Sequence, residues 1–131
     1  MYCLDSNIII EIFRGNLNLK EKIKNLQENG LGVFINPIIL CELYKGAYLS
    51  NKKDLAFRFI EEFLKEVTLL DFDKESCSLY RELYSNLFKG GKMTQDKDLM
   101  IASICIANNF ILITKNKKHF EHIPRLKVEF W

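Results

Sequence analysis

A chain of 131 residues, 48% of them apolar, has the size of one domain and enough apolar material for a continuous core. No stretch approaches the roughly 18 consecutive apolar residues of a membrane-spanning helix, and no basic segment followed by an apolar one announces secretion. A cytoplasmic protein without membrane association is therefore expected. A formal charge of +2 excludes nucleic-acid binding by bulk charge alone and leaves any such role to local basic residues.

In chain order, short runs dense in β-branched and aromatic residues occur at 2–4, 33–35, 67–70, 110–114 and 128–130, and each reads as a strand. Segments of helical character lie between them at 7–14, 19–29, 37–49, 53–65, 74–89 and 98–108. Nearly all-apolar strands separated by helices predict an α/β fold, three layers with a central, mainly parallel five-stranded sheet buried on both faces. No repeat or Pro/Gly/Ser-rich linker divides the chain, so residues 1–131 are expected to form a single domain. Cys3, Cys41, Cys77 and Cys105 each stand among apolar residues with no Cys-x-x-Cys spacing, which predicts reduced, buried small hydrophobes.

Parallel sheets bind ligands beyond the carboxyl ends of their strands. The residues just past the predicted strands are Asp5-Ser6-Asn7, Asn36, Asp71 and Asp73, and Thr114 to Asn116, a set rich in oxygen ligands. Asp5 sits where the first strand turns into a helix, and an N-cap is the alternative use of an acid there. Glu42 has Ile38, Ile39, Lys45 and Gly46 as helical neighbours. An acid on so apolar a face needs compensation by a bound cation or by a nearby Lys or Arg. Asp98 directly precedes the buried run Leu99 to Ala107, whereas Asp96 points about 200° away on a regular helix and is the better capping candidate. Three carboxylates at a strand end, on an apolar helix and at a buried helix start suit Mg²⁺ or Mn²⁺ rather than zinc, and phosphoryl transfer by activated water is the chemistry those ions serve best.

Four blocks then come in a telling order: Leu4-Asp5-Ser6-Asn7, Glu42-Leu43-Tyr44-Lys45-Gly46, Asp98-Leu99-Met100-Ile101-Ala102, and Ile113-Thr114-Lys115-Asn116-Lys117-Lys118-His119-Phe120. In these blocks the chain resembles the PIN-domain ribonucleases, most closely the VapC-type toxins of prokaryotic toxin–antitoxin pairs. The resemblance implies a metal-dependent endoribonuclease in which Asp5, Glu42 and Asp98 bind divalent metal, with Thr114 and Asn116 at the rim of the same pocket and Ser6 and Asn7 beside it. Ser6 stands where many relatives have Thr. Many also carry an Asp near Asn116, and Asp96 is the nearest substitute for that fourth acid. The resemblance also implies a homodimer and a VapB-like antitoxin whose segment lies across the active-site groove.

RNA must approach an anionic cluster, so basic residues are expected at its rim, and Arg14, Lys45, Lys115, Lys117 and Lys118 are the candidates, with Lys92 and Lys97 also near in sequence. His119 and His122, the only histidines, fall in a polar loop, where His119 reads as a surface or hinge residue. Two other readings compete. One is a phosphoacceptor receiver domain using Asp71 or Asp73, although such a domain wants adjacent acids after its first strand and leaves Glu42 and Asp98 without a task. The other is a PIN-like scaffold that binds RNA or protein without cutting.

Overall fold

The computed structural model describes residues 1–92 and 94–131. Five strands, β1 (Tyr2–Leu4), β2 (Val33–Ile35), β3 (Thr68–Leu69), β4 (Ile111–Thr114) and β5 (Lys127–Phe130), form one sheet in the order β3-β2-β1-β4-β5. Every pairing is parallel; Cys3, for example, lies opposite Phe34 on one side and Leu112 on the other. The helices are α1 (Ser6–Phe13), α2 (Leu17–Glu28), α3 (Pro37–Leu49), α4 (Lys53–Leu64), α5 (Lys74–Lys89), α6 (Asp96–Ala107) and α7 (Lys117–Phe120).

The strand order reverses direction at β1. The chain steps outward through β2 to β3, then returns over α5 and α6 to place β4 on the other side of β1. Because parallel crossovers are right-handed, the outward and returning helices cover opposite faces of the sheet, which gives the three expected layers. The core runs through the central strands with Cys3, Leu4, Ile35, Leu112 and Ile113. Ile8, Ile9 and Ile39 pack against it, as do Ile101 and Ile104. None of the helices among the described residues is long and apolar enough to cross a membrane.

Local chemistry explains the boundaries. Asn36 accepts from the backbone N–H groups of Ile38 and Ile39, and Pro37 follows it at the first helical position, where its missing N–H costs nothing. At the far end of α6, Asn109 adopts φ +55° and the Phe110 N–H reaches back to the Cys105 carbonyl, closing the helix just before β4.

Several expectations are corrected. The edge strands are not buried on both faces: both β3 residues are exposed and β3 is only two residues long, since a strand with one neighbour has little to pack against. The predicted polar loop after β4 contains the four-residue helix α7, too short to leave a periodic signature. Helix α6 starts at Asp96 with Gln95 as its N-cap residue, so Asp96 is not the cap. Cys3 and Cys105 are buried, whereas Cys41 and Cys77 are exposed free thiols on α3 and α5. The receiver alternative fails on topology. There the third strand must be central, but here β3 is an edge strand, and Asp73 is the N-cap of α5, accepting from the Ser76 N–H.

Candidate active site

The crevice of an open parallel sheet forms where the strand order reverses, between β1 and β4. Asp5 and Thr114 occupy the two lips of that crevice. The Asp5 N–H bonds the Ile113 carbonyl at 2.9 Å, so β1 stays in register with β4 up to the residue that carries the carboxylate. Asp5 is also the N-cap of α1: its Oδ1 accepts from the Ser6 N–H at 2.8 Å. Its Oδ2 accepts from Thr114 Oγ1 at 2.5 Å and from Asn7 Nδ2 at 2.8 Å. Asn7 ties the same lips together, donating to Thr114 Oγ1 and accepting from the Lys115 N–H. Capping and site formation are thus one act of the same side chain.

Glu42 projects from α3, one turn and a half beyond its Asn36 cap. Its Oε2 accepts from Ser6 Oγ at 2.9 Å and its Oε1 lies 2.6 Å from Lys97 Nζ. Asp98 is the third residue of α6, where the helix's positive end favours a carboxylate. Its Oδ2 lies 3.0 Å from His119 Nδ1 on α7. Asp5 and Asp98 are 3% and 4% exposed, which makes them the only buried acids among the described residues.

Burial raises the Asp5 carboxyl above its ordinary value; hydrogen bonds from Thr114 and Ser6 oppose this, and the charges of Glu42 and Asp98 add to it. Burial likewise raises Asp98, against the lowering influence of His119 and Lys97. Lys97 is raised, chiefly by its hydrogen bond to Glu42. The three carboxylates therefore feel one another across the crevice, and one ammonium sits among them.

The fit to a divalent cation rests on two facts. The donors are oxygens, as Mg²⁺ and Mn²⁺ require, and Asp5 is a buried acid that no Lys, Arg or His among the described residues pairs with. Among those residues no three acid, His or Cys side chains converge into a ready-made shell. Glu42 and Asp98 are engaged instead by Lys97 and His119. The residues fit such a cation in kind, with Glu42 engaged by Lys97 and Asp98 by His119 in this arrangement.

The accessory residues Ser6, Asn7 and Thr114 join this network. Asn116 joins it through its backbone, whose N–H bonds Thr114 Oγ1. Asp96 does not: it is exposed and accepts from the Tyr80 hydroxyl at 3.0 Å. Of the basic candidates, Lys118 lines a cleft of about 180 Å³ with Thr94, Gln95, Asp98, His119 and His122. Lys115 pairs with Glu11 at 3.4 Å and Lys117 with Glu121 at 3.9 Å. Lys45 is exposed on α3. Arg14 lies past the end of α1, about 12 Å along the helix from the Asp5 end. There it borders a groove of about 360 Å³ between α1, α3 and α4.

Sequence reading missed His119 as a partner of Asp98 and left Lys97 without a partner. A single helical turn hides the first, and a contact 55 residues apart in the chain hides the second.

The model of the PIN domain family matches residues 2–126. Ribonuclease VapC2 of Rickettsia felis is 32% identical over 131 residues, covering all of this chain and 98% of that protein, and Ribonuclease VapC2 of Haemophilus influenzae is 28% identical over 130 residues, covering 99% and 97%. The crystal structure of VapBC2 from Rickettsia felis bound to a DNA fragment from their promoter contains a chain that superimposes with a TM-score of 0.93 at 32% identity, covering 99% of this chain and 98% of that one. Matched over nearly its whole length in sequence and in fold, the chain belongs to the PIN-domain family, in its VapC group.

Proposed function

We propose that this protein is a Mg²⁺- or Mn²⁺-dependent endoribonuclease, the toxin of a type II toxin–antitoxin pair. The observation that carries the reading is Asp5: a buried carboxylate at the sheet's switch point, without a cationic partner among the described residues and within electrostatic reach of Glu42 and Asp98. The VapC relatives that resemble the chain end to end are named ribonucleases, which supports RNA as the substrate.

Asp5, Glu42 and Asp98 are the residues that would hold the metal. When bound, such an ion lowers the pKa of a water to make a nucleophile and offsets charge on the leaving oxygen. The chain's own residues do the positioning. Thr114, Asn7 and the Ser6 N–H hold the Asp5 carboxylate in one orientation, Ser6 Oγ aims Glu42, and His119 aims Asp98. Lys118 and Lys97 present positive charge at the mouth, where an RNA phosphate must enter against the field of three acids.

Relatives of the chain are found in VapBC complexes, and a VapB-like antitoxin is the partner proposed here. The groove bordered by Arg14 offers it Phe13, Leu43, Phe59 and Ile60, an apolar channel of a kind that takes an amphipathic segment. A cytoplasmic homodimer is proposed with it. Tyr84 and Phe88, stacked on the exposed face of α5, give apolar surface to an interface.

Incubation of the purified chain with defined RNAs in Mg²⁺ or Mn²⁺, with and without chelator, tests the reading. Cleavage that the chelator abolishes is expected. RNA binding without cleavage in either metal would favour the scaffold alternative.

A further inference from the structure

Among the described residues, Lys97 is the one lysine or arginine paired with any of the three acids. Its Nζ lies 2.6 Å from Glu42 Oε1, and the lysine side chain is 47% exposed. Ser6 holds the other Glu42 oxygen, so Glu42 stays aimed into the crevice if Lys97 leaves. The lysine side chain is about half open to solvent, which leaves its ammonium room to move away from Glu42. A divalent cation drawn to these carboxylates must compete with Lys97 for the same oxygen. The displaced ammonium would remain at the mouth of an anionic site that polyanionic substrate has to enter.

We propose that Lys97 is a displaceable counter-cation, which holds Glu42 in the metal-free protein and, when metal takes Glu42, transfers to a phosphate of the incoming RNA. This rests on the metal-dependent ribonuclease reading. It makes metal loading and RNA binding cooperative through one side chain, because each event supplies what the other releases.

The test uses the full chain stripped with chelator, the variants Lys97→Met and Glu42→Gln, and their combination. Mn²⁺ binding is measured by calorimetry without RNA. Lys97→Met should bind Mn²⁺ about fivefold more tightly, the size expected of a partly exposed ion pair. That gain should vanish in the Glu42→Gln background. An equal gain in both backgrounds, which a diffuse charge effect would give, overturns the proposal, as does unchanged or weaker binding by Lys97→Met. Fluorescence anisotropy of a 2′-O-methyl RNA is the second arm. In Mn²⁺, Lys97→Met should bind the RNA about fivefold more weakly than wild type, and in chelator it should match it. The same loss in both conditions overturns the transfer step. If wild type takes up no Mn²⁺, the ribonuclease reading falls and this proposal with it. If wild type binds Mn²⁺ and cleaves RNA while Lys97→Met equals it in both arms, only the role of Lys97 falls.

Discussion

Thr114 Oγ1 donates a 2.5 Å hydrogen bond to Asp5 Oδ2, joining residues 109 positions apart at the two central strands of the sheet. Both side chains are buried, so the bond has no ready replacement by water. Thr114→Val keeps the shape and removes the hydroxyl. It should destabilise the protein by about 1–3 kcal/mol, because the Asp5 oxygen loses a donor inside the core. Thr114→Ser should recover most of that loss. Urea unfolding of both variants measures it, and equal stability of Thr114→Val and wild type would mean the bond contributes nothing.

The buried acids set a pH dependence. Asp5 and Asp98 are both raised in the folded state from an ordinary value of 3.8. A carboxyl that holds its proton more tightly folded than unfolded favours folding most at low pH. That contribution is lost as pH rises from about 3.8 through the higher folded-state values. In chelator, the melting temperature should therefore fall from mildly acidic pH toward neutrality, and the slope should be shallower in Asp5→Asn. Mn²⁺ should flatten the wild-type profile. A wild-type profile that rises over the same range without metal would contradict the placement of these acids.

Asp73 is the control acid. It follows β3 at the sheet edge and caps α5, with its carboxyl lowered by the hydrogen bond from the Ser76 N–H. Its stabilising effect is present above the unfolded value of 3.8 and is lost as pH falls through the lower folded value. Asp73→Ala should lower the melting temperature at neutral pH and leave RNA cleavage unchanged, and acetyl phosphate should not label either protein. Stoichiometric labelling of wild type that Asp73→Ala loses would show that Asp73 accepts phosphate and contradict its role as a cap alone.

Much of this arrangement was legible in the sequence. The two central strands announce themselves because they are apolar on both faces, and the helices because their caps and periods are strong. Asp5, Glu42 and Asp98 stand out as acids in apolar settings, and the fold places Asp5 within electrostatic reach of the other two without gathering all three into one ligand shell among the described residues. What stayed hidden is long-range or short-lived in sequence. The edge strand β3 has too little burial to pattern its residues, and α7 is a single turn. The partners of Glu42 and Asp98 are set by how α6 and α7 meet α3, which no local spacing encodes. On α4, spacing alone does not separate core from surface: Ile60 and Phe63 turn inward, and Phe59 stays exposed beside the groove.

That groove gives the partner prediction. Co-expressed with its upstream neighbouring reading frame, the chain should co-purify with a small antitoxin, and Phe59→Asp should weaken that association while cleavage by the free chain persists. Sedimentation should show dimers at tens of micromolar. A strictly monomeric chain counts against the dimer, and co-purification untouched by Phe59→Asp places the partner elsewhere.

The most direct measurement is RNA cleavage by Asp98→Asn and Asp5→Asn in Mg²⁺ or Mn²⁺, beside wild type and with folding checked by circular dichroism. Both substitutions keep the side-chain shape and remove charge that would hold the metal. Both variants should be folded and lose at least about 100-fold in rate, in line with the several kcal/mol of charge stabilisation such a site supplies. Folded variants that both cleave at the wild-type rate would show that the carboxylate crevice between β1 and β4 is not the active site.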